Sequence, residues 1–239
     1  MYGYFDPTYF LVIIGAIFSL WASSRVSSTF KKYARVYGKS GMTGAQAAER
    51  ILRNAGIYDV RIQHISGNLT DHYDPTAKVL RLSDSVYDSC SVAAVGVAAH
   101  ECGHAMQHQE GYGPLKLRST LVPVANIGSR LGLPIVFLGL AMGLEFQLPG
   151  GGYFSLAQIG IWVFLFAVAF QVVTLPVEFN ASGRALQVMK QDGIMDTEEL
   201  GYCKKVLGAA ALTYVAAAAS SILQLLRLVL LVNGRRRRD

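Results

Sequence analysis

Two histidines four positions apart, His100 and His104, flank the sequence Glu-Cys-Gly in a chain of 239 residues. On a helix, residues i and i+4 lie on one face, so these two imidazoles could bind one Zn²⁺ at about 2.0–2.1 Å. Glu101 lies one residue further round, where its carboxylate could reach a water at the metal and act as general base. The spacing therefore predicts a zinc site with Glu101 as its catalytic residue.

A catalytic zinc site needs a third protein ligand and keeps one position open. Glu178, in the segment LPVEFNASGRAL, is the best-placed carboxylate. Two apolar runs separate it from His104, and an even number of membrane crossings returns the chain to the same side. Glu145 fails this test because a single crossing separates it from His104 and leaves it on the outer side. The competing interpretation is that Glu178 belongs to a solvated helix end.

Four further side chains near these segments have less direct predicted roles. His108 continues the spacing, but residues i and i+8 are about 12 Å apart along a helix. It is therefore predicted either to support a ligand or to lie at the surface. A structural role is favoured for His72 over substrate contact, and Cys102 is predicted to pack in the interior. Tyr214 is predicted to pack, with donation to an oxyanion as the alternative.

Long apolar runs make up much of the remaining chain. Hydrophobic residues amount to 52% and charged residues to 16%, against about 25% charged in ordinary soluble domains. The N-terminus has no basic residue before the first run, which favours an uncleaved membrane anchor over a secretory signal peptide. The runs predict membrane helices at about residues 9–24, 131–148, 153–177 and 206–232.

The basic residues predict how these runs are oriented. Arg25, Lys31 and Lys32 follow the first run, and Lys204 and Lys205 precede the fourth. The positive-inside tendency therefore places the N-terminus outside and the catalytic site in the cytoplasm of a multi-pass protein of the cell membrane. The net charge of +6 predicts contact with the lipid bilayer and no nucleic-acid binding, since no dense basic patch has interleaved aromatics.

Two features of the chain's turns and ends bear on this orientation. The segment QLPGGGY between the second and third runs predicts a tight turn, so these runs form a hairpin. The fourth run leaves two arrangements open. A single crossing puts the cluster Arg235–Arg238 outside, whereas two half-helices return it to the cytoplasm.

The segment from about 25 to 120 lacks membrane character and predicts a small α+β unit. Thr43 is predicted to cap a helix that buries Ile51 and Leu52. A short strand near 58–65, a hairpin within 69–83 and a helix over about 91–109 follow. Residues 78–83 are further hypothesised to offer a free strand edge on which an extended peptide could pair.

The predicted fold class is mainly α with a small β hairpin or sheet, a zinc-peptidase unit combined with three to four transmembrane helices. The cytoplasmic face would hold the metal site, with the third ligand delivered by the chain returning from the membrane hairpin. The predicted organisation is a membrane anchor (1–24), a cytoplasmic zinc-peptidase unit (25–120), a transmembrane hairpin (121–177), a cytoplasmic helix with the third ligand (178–205) and a C-terminal membrane helix or hairpin with a basic tail (206–239).

Several segments, in their order, resemble the bacterial YugP-type membrane neutral zinc metallopeptidases. They are HYDPTAKVLRLS, VAAVGVAAHECGHAMQH, LPVEFNASGRAL and LGAAALTYVAAA, and the similarity runs from about residue 41 to 238. The resemblance implies a gluzincin, in which a downstream glutamate completes the zinc site. It implies His100, His104 and Glu178 as zinc ligands and Glu101 as the catalytic carboxylate, with a peptide or protein substrate.

Two positions depart from the patterns that this resemblance implies. The family usually has aspartate where this chain has Asn180, and better-known membrane gluzincins have aspartate where it has Ser182. A serine hydroxyl can orient a histidine but contributes no charge. The groups that support the zinc ligands are therefore expected to be weaker or differently arranged.

The function predicted from the sequence is that of an integral-membrane zinc endopeptidase at the cytoplasmic membrane face, with a role in membrane-protein quality control. The alternative is a catalytically inactive zinc-containing membrane adaptor that holds partner proteins. Structural zinc sites prefer four closed ligands, usually with Cys, which argues against the adaptor. A transporter is disfavoured because the second and third runs carry almost no ionisable residues. The oligomeric state stays open.

Overall fold

The protein is described here from a computed structural model of residues 6–147 and 153–236. These residues form mainly α-helix with two small sheets, which confirms the predicted fold class. The helices are α1 (Tyr9–Tyr33), α2 (Gly44–Asn54), α3 (Val92–Gln109), α4 (Gly113–Met142), α5 (Leu156–Gln191) and α6 (Thr197–Arg236). The strands are β1 (Arg61–Ile65), β2 (His72–Asp74), β3 (Val79–Ser83), β4 (Glu145–Gln147) and β5 (Tyr153–Ser155).

Four of the helices, α1, α4, α5 and α6, are long and apolar enough to cross a membrane. At most 28% of the most apolar stretch of each is buried inside the protein. Large apolar side chains such as Leu20, Ile127 and Trp162 are consequently exposed along them. Exposed apolar surface of this extent is what a lipid bilayer covers, so the predicted membrane character of these segments is confirmed.

The fourth apolar run is one continuous helix, α6, with no break within the described residues. Of the two arrangements that the sequence left open, the structure therefore has the unbroken helix. The arginine cluster that follows it lies outside the described residues, except for the backbone of Arg235 and Arg236. The predicted tight turn around 148–152 also lies outside them, although β4 and β5 pair in antiparallel fashion on either side.

One compact unit consists of Met1–Trp21, Leu117–Thr174 and Tyr214–Asp239. Within it, α4 and α5 pack closely at glycines, since a Cβ on Gly139 would strike the backbone of Ala157. Helices α1 and α6 run alongside each other in opposite directions. The Ser220 hydroxyl donates to the carbonyl of Gly15 at 2.9 Å, and Arg227 pairs with Asp6 at 3.3 Å.

The second compact unit consists of Ala22–Lys116 and Leu175–Thr213. It contains a three-stranded sheet in the order β1-β3-β2, in which β3 is antiparallel to β2 and parallel to β1. The predicted hairpin is thus confirmed as β2 and β3. The hypothesis that residues 78–83 offer a free edge is wrong, because β3 is the central strand and both of its edges are paired.

Helices α2 and α3 of this unit begin where the sequence predicts. Thr43 and Gln46 form a capping box at the start of α2, and Ile51 and Leu52 are buried in the core. Ser91 caps α3, its hydroxyl accepting from the Ala94 amide at 3.2 Å. The first three turns of α3 bury a run of alanines and valines. They hold the helix that carries the histidines rigidly in the core.

Candidate metal centre

His100 and His104 project from consecutive turns of α3, as their spacing predicts. Their rings lie edge to face, with centroids 4.8 Å apart and an angle of 84° between the planes. Only 13% and 12% of the two side chains are exposed. The imidazoles are thus held at the margin of the core, where a small ion or a water can still reach them.

Glu178 reaches these imidazoles because α5 crosses α3 at very short range. A Cβ on Gly103 would lie 2.5 Å from the Ala181 carbonyl oxygen, so only glycine allows this approach. The buried side chain of Gln107 then links the two helices, its amide Nε2 donating to the Val177 carbonyl at 2.8 Å. The crossing places the Glu178 carboxylate, 3% exposed, against both histidines.

The spacing of the three side chains fits a bound metal ion. Glu178 Oε2 lies 3.3 Å from His100 Nε2 and 3.5 Å from His104 Nε2. Charge-assisted hydrogen bonds are shorter, about 2.7–2.9 Å. Ligands at about 2.0–2.1 Å from a tetrahedral ion are about 3.3–3.4 Å from each other. One ligand atom from each of the three residues lies within 4.8 Å of the others, so the group could hold a metal ion.

The charges around the imidazoles favour a cation between them. Burial lowers the pKa of His104, but contact with Glu178 and the charge of Glu101 outweigh it, so that pKa is raised. Two carboxylates therefore face two imidazoles in a mostly buried site. A divalent cation bound there would take the place of that proton and balance the same negative charge.

The second ring nitrogen of each histidine also has a partner. His104 Nδ1 lies 3.0 Å from Gln107 Oε1, and His100 Nδ1 lies 3.1 Å from Ser182 Oγ. Such contacts fix ring orientation and leave Nε2 free to face a metal. The sequence indicates Ser182 as an orienting group, whereas sequence reasoning misses Gln107. Its i+3 spacing from His104 was the available signal.

Glu101 is 8% exposed and lies next to His100 on α3, where its negative charge acts on His104. His108 does not belong to the group of possible ligands, and its Nδ1 bonds to the Tyr73 hydroxyl at 2.8 Å. It lies near the surface, one of its two predicted alternatives. His72 has its own contact, with Arg81 Nη1 at 3.2 Å from its Nε2.

The remaining candidates from the sequence lie elsewhere. Cys102 is fully buried in the core against Ala48, so its predicted packing role is confirmed. Glu145 is in β4, in the first unit, and does not belong to the group of possible ligands. Tyr214 also belongs to the first unit, and its role stays a prediction.

The helices and the side-chain group together define a membrane protein with a His-His-Glu site that could hold a metal ion. Residues 8–233 match the protein family described as "Putative neutral zinc metallopeptidase", and the chain belongs to this family. It is also similar to the "Putative membrane protease YugP" of Bacillus subtilis (strain 168). The two are 49% identical over 227 residues, which cover 95% of this chain and 97% of that protein. No solved structure matches the chain.

Proposed function

We propose that this chain is a zinc-dependent endopeptidase of the cell membrane that hydrolyses peptide bonds at the cytoplasmic face. The observation that carries the proposal is the spacing of His100, His104 and Glu178 around one common point. Two histidines and one glutamate are the ligand set of catalytic zinc sites that keep one position open. Membership of a zinc metallopeptidase family supports the same assignment.

The proposed mechanism assigns His100, His104 and Glu178 to holding the zinc and Glu101 to moving the proton. A zinc ion held by these three residues would supply Lewis-acid chemistry, activating water near neutral pH and polarising a carbonyl. Glu101 accepts a proton from the attacking water as the new bond from oxygen to carbonyl carbon forms. It then delivers that proton to the amide nitrogen as the carbon–nitrogen bond breaks, which leaves one carboxylic acid and one amine.

The proposed orientation rests on the basic residues beside the four apolar helices. Arg25, Lys31 and Lys32 at the end of α1 and Lys204 and Lys205 in the first turns of α6 favour the cytoplasm for those ends. A single crossing by each helix then returns α6 to the outer side, with the N-terminus. Substrates would be membrane proteins or peptides near the cytoplasmic surface, which suits a role in membrane-protein quality control.

The catalytic role of Glu101 is tested by Glu101→Gln in the full chain purified in detergent. We expect wild type and variant to contain one zinc each, since Gln removes the proton acceptor and leaves the three ligands. Wild type should cleave casein, and the variant should lose about a thousandfold or more of that activity, as expected for a lost general base with its charge.

Two outcomes would contradict this account. A Glu101→Gln variant that cleaves casein at the wild-type rate would remove Glu101 from the mechanism. A wild-type protein that contains zinc but cleaves neither casein nor membrane-protein fragments would instead support the zinc-containing adaptor.

A further inference from the structure

A row of hydrogen bonds leads from His104 to the surface of the second unit. The His104 Nδ1–H donates to Gln107 Oε1 at 3.0 Å, and Gln107 Nε2 donates to Asn180 Oδ1 at 2.9 Å. Arg184 Nε donates to the same Asn180 oxygen at 2.7 Å. Arg184 Nη1 in turn donates to Glu110 Oε1 at 2.6 Å. The row thus joins α5 to α3 in the interior, through Gln107, and to the residue that caps the end of α3 at the surface, Glu110.

The first link of the row has a fixed direction. Gln107 is fully buried, and its Nε2 is bonded to two acceptors, the Val177 carbonyl and Asn180 Oδ1. Its Oε1 must therefore face His104, and an amide oxygen only accepts hydrogen bonds. A neutral His104 therefore carries its proton on Nδ1, which leaves the lone pair of Nε2 available to a metal ion on the side of Glu178.

Asn180 is the member of the row on which this direction depends. Its Oδ1 accepts from both Gln107 and Arg184, so the amide is held with its oxygen towards them. Arg184 is itself restrained, since Glu110 binds its guanidinium and the Tyr112 ring lies 5.9 Å from it. Without an acceptor at position 180, the amide of Gln107 would lose one of the two bonds that orient it.

We propose that Asn180 and Arg184 are positioning residues of the metal centre, which act on His104 through Gln107. They hold the His104 ring in the tautomer and orientation that can bind zinc, although neither touches the proposed ion. The inference rests on the proposed function only in taking zinc as the ligand. Removal of such outer contacts from a metal-bound histidine typically weakens metal binding about 10- to 100-fold.

The row also explains how this chain can use asparagine at a position where the family resemblance implies aspartate. Both donors that reach Asn180 need only an oxygen acceptor, and an amide oxygen serves both. An aspartate would accept the same two bonds and add a negative charge two hydrogen bonds away from His104. We therefore expect Asn180→Asp to bind zinc at least as tightly as wild type.

The test measures zinc affinity, by competition with a chelating dye, for the full chain in detergent. Asn180→Leu removes the acceptor at similar volume, and Arg184→Met removes the guanidinium while keeping most of the aliphatic stem. Arg53→Met is the matched control, because Arg53 forms an ion pair of the same kind with Glu49, at 2.8 Å on the surface of the same unit. The visible spectrum of the cobalt-substituted proteins reports the ligand arrangement independently of activity.

We expect Asn180→Leu to bind zinc about 10- to 100-fold more weakly, with an altered cobalt spectrum, and Arg184→Met to show a smaller loss in the same direction. Asn180→Asp should bind zinc at least as tightly as wild type, and Arg53→Met should be unaffected. If Asn180→Leu does not fold, Arg184→Met tests the same inference, because Arg184 is only half-buried and its replacement disturbs the core less.

Wild-type affinity in every folded Asn180→Leu and Arg184→Met protein would overturn the inference. The inference would also be overturned if Arg53→Met lost as much affinity as Arg184→Met, because the effect would then be one of general stability. A wild-type chain that binds no zinc would instead refute the proposed function itself. The two failures are thus distinguishable.

Discussion

The imidazoles of His100 and His104 use both of their ring nitrogens, one towards Glu178 and one towards a supporting side chain. Their supports differ: Gln107 is fully buried and bonded to three groups, whereas Ser182 offers a single rotatable hydroxyl. His100 is therefore held by the weaker of the two supports. On the Nδ1 side of the ring, its orientation depends on one uncharged contact between α3 and α5.

Changing Ser182 should consequently alter zinc binding in both directions. Ser182→Ala removes the partner of His100 Nδ1, and we expect about tenfold weaker zinc binding. Ser182→Asp places a carboxylate at the same position, where it can accept from Nδ1–H and add negative charge. We expect it to bind zinc more tightly than wild type, as measured by chelator competition. Equal affinity in all three proteins would show that Ser182 does not support His100.

The ligands of the proposed site were predictable from the sequence because helical geometry alone relates His100 to His104. Glu178 required only the count of membrane crossings between the two segments. Gln107 and Asn180 were not predictable as a pair, since their contact depends on the distance and angle at which α3 crosses α5. Neither quantity is contained in the spacing of residues along the chain.

Between elements, the close crossing of α3 and α5 is what brings the Glu178 carboxylate, the proposed third ligand, to the histidines. Gly103 permits it, because the Ala181 carbonyl occupies the space where a side chain would start. That neighbour is backbone and cannot rotate away. Glycine in a helix costs about 0.5–1 kcal/mol of stability relative to Ala. At position 103 the close contact between the two helices offsets that cost.

Replacement of Gly103 should therefore cost both stability and metal affinity. Gly103→Ala must push the two helices apart, and we expect a net loss of about 1–3 kcal/mol in the free energy of unfolding. Zinc affinity should fall as well, because Glu178 moves away with α5. Both are measurable on the detergent-solubilised protein, by thermal unfolding without zinc and by chelator competition.

Gly183 provides the control for this substitution. It lies in α5 two residues beyond Ala181, and a Cβ there would meet nothing within 4 Å. Gly183→Ala should stabilise the protein by up to about 1 kcal/mol through helix propensity and leave zinc affinity unchanged. If Gly103→Ala behaved like Gly183→Ala, the close crossing would not be what positions Glu178.

The small sheet illustrates what the sequence could predict about elements. The turn residues near Asp74 identified the β2–β3 hairpin, and alternation identified β1. Pairing of β1 with β3 in parallel was not predictable, because it joins two strands that are separated in the chain by β2 and depends on their tertiary arrangement. This pairing removes the free edge that β3 would otherwise have offered to a peptide.

At the scale of the whole molecule, the unbroken α6 is the fourth helix that is long and apolar enough to cross a membrane. In the proposed topology each of the four helices crosses once, so that α1 begins on the side where α6 ends. The contact between Asp6 and Arg227 agrees with this, since it joins the beginning of α1 to the last third of α6. The apolar runs predicted the helices. The small residues within the fourth run, however, fit both a break in the helix and close packing of an unbroken helix against its neighbours.

The proposed orientation is testable with single cysteines labelled by a membrane-impermeant maleimide. In a background with Cys90 replaced by Ser, Tyr58→Cys and Phe146→Cys add thiols at positions that are 80% and 51% exposed. We expect Phe146→Cys to react in intact cells and Tyr58→Cys only after lysis. The reverse pattern would place the proposed catalytic site outside the cytoplasm.

The zinc content of Glu178→Ala tests the central claim most directly, measured beside wild type and Glu145→Ala. We predict one zinc per chain in wild type and in Glu145→Ala, where an exposed carboxylate in β4 is removed. Glu178→Ala should lose most of its zinc at equal total metal, because only two protein ligands remain. A Glu178→Ala protein with a full zinc atom and wild-type affinity would contradict the assignment of the metal centre to His100, His104 and Glu178.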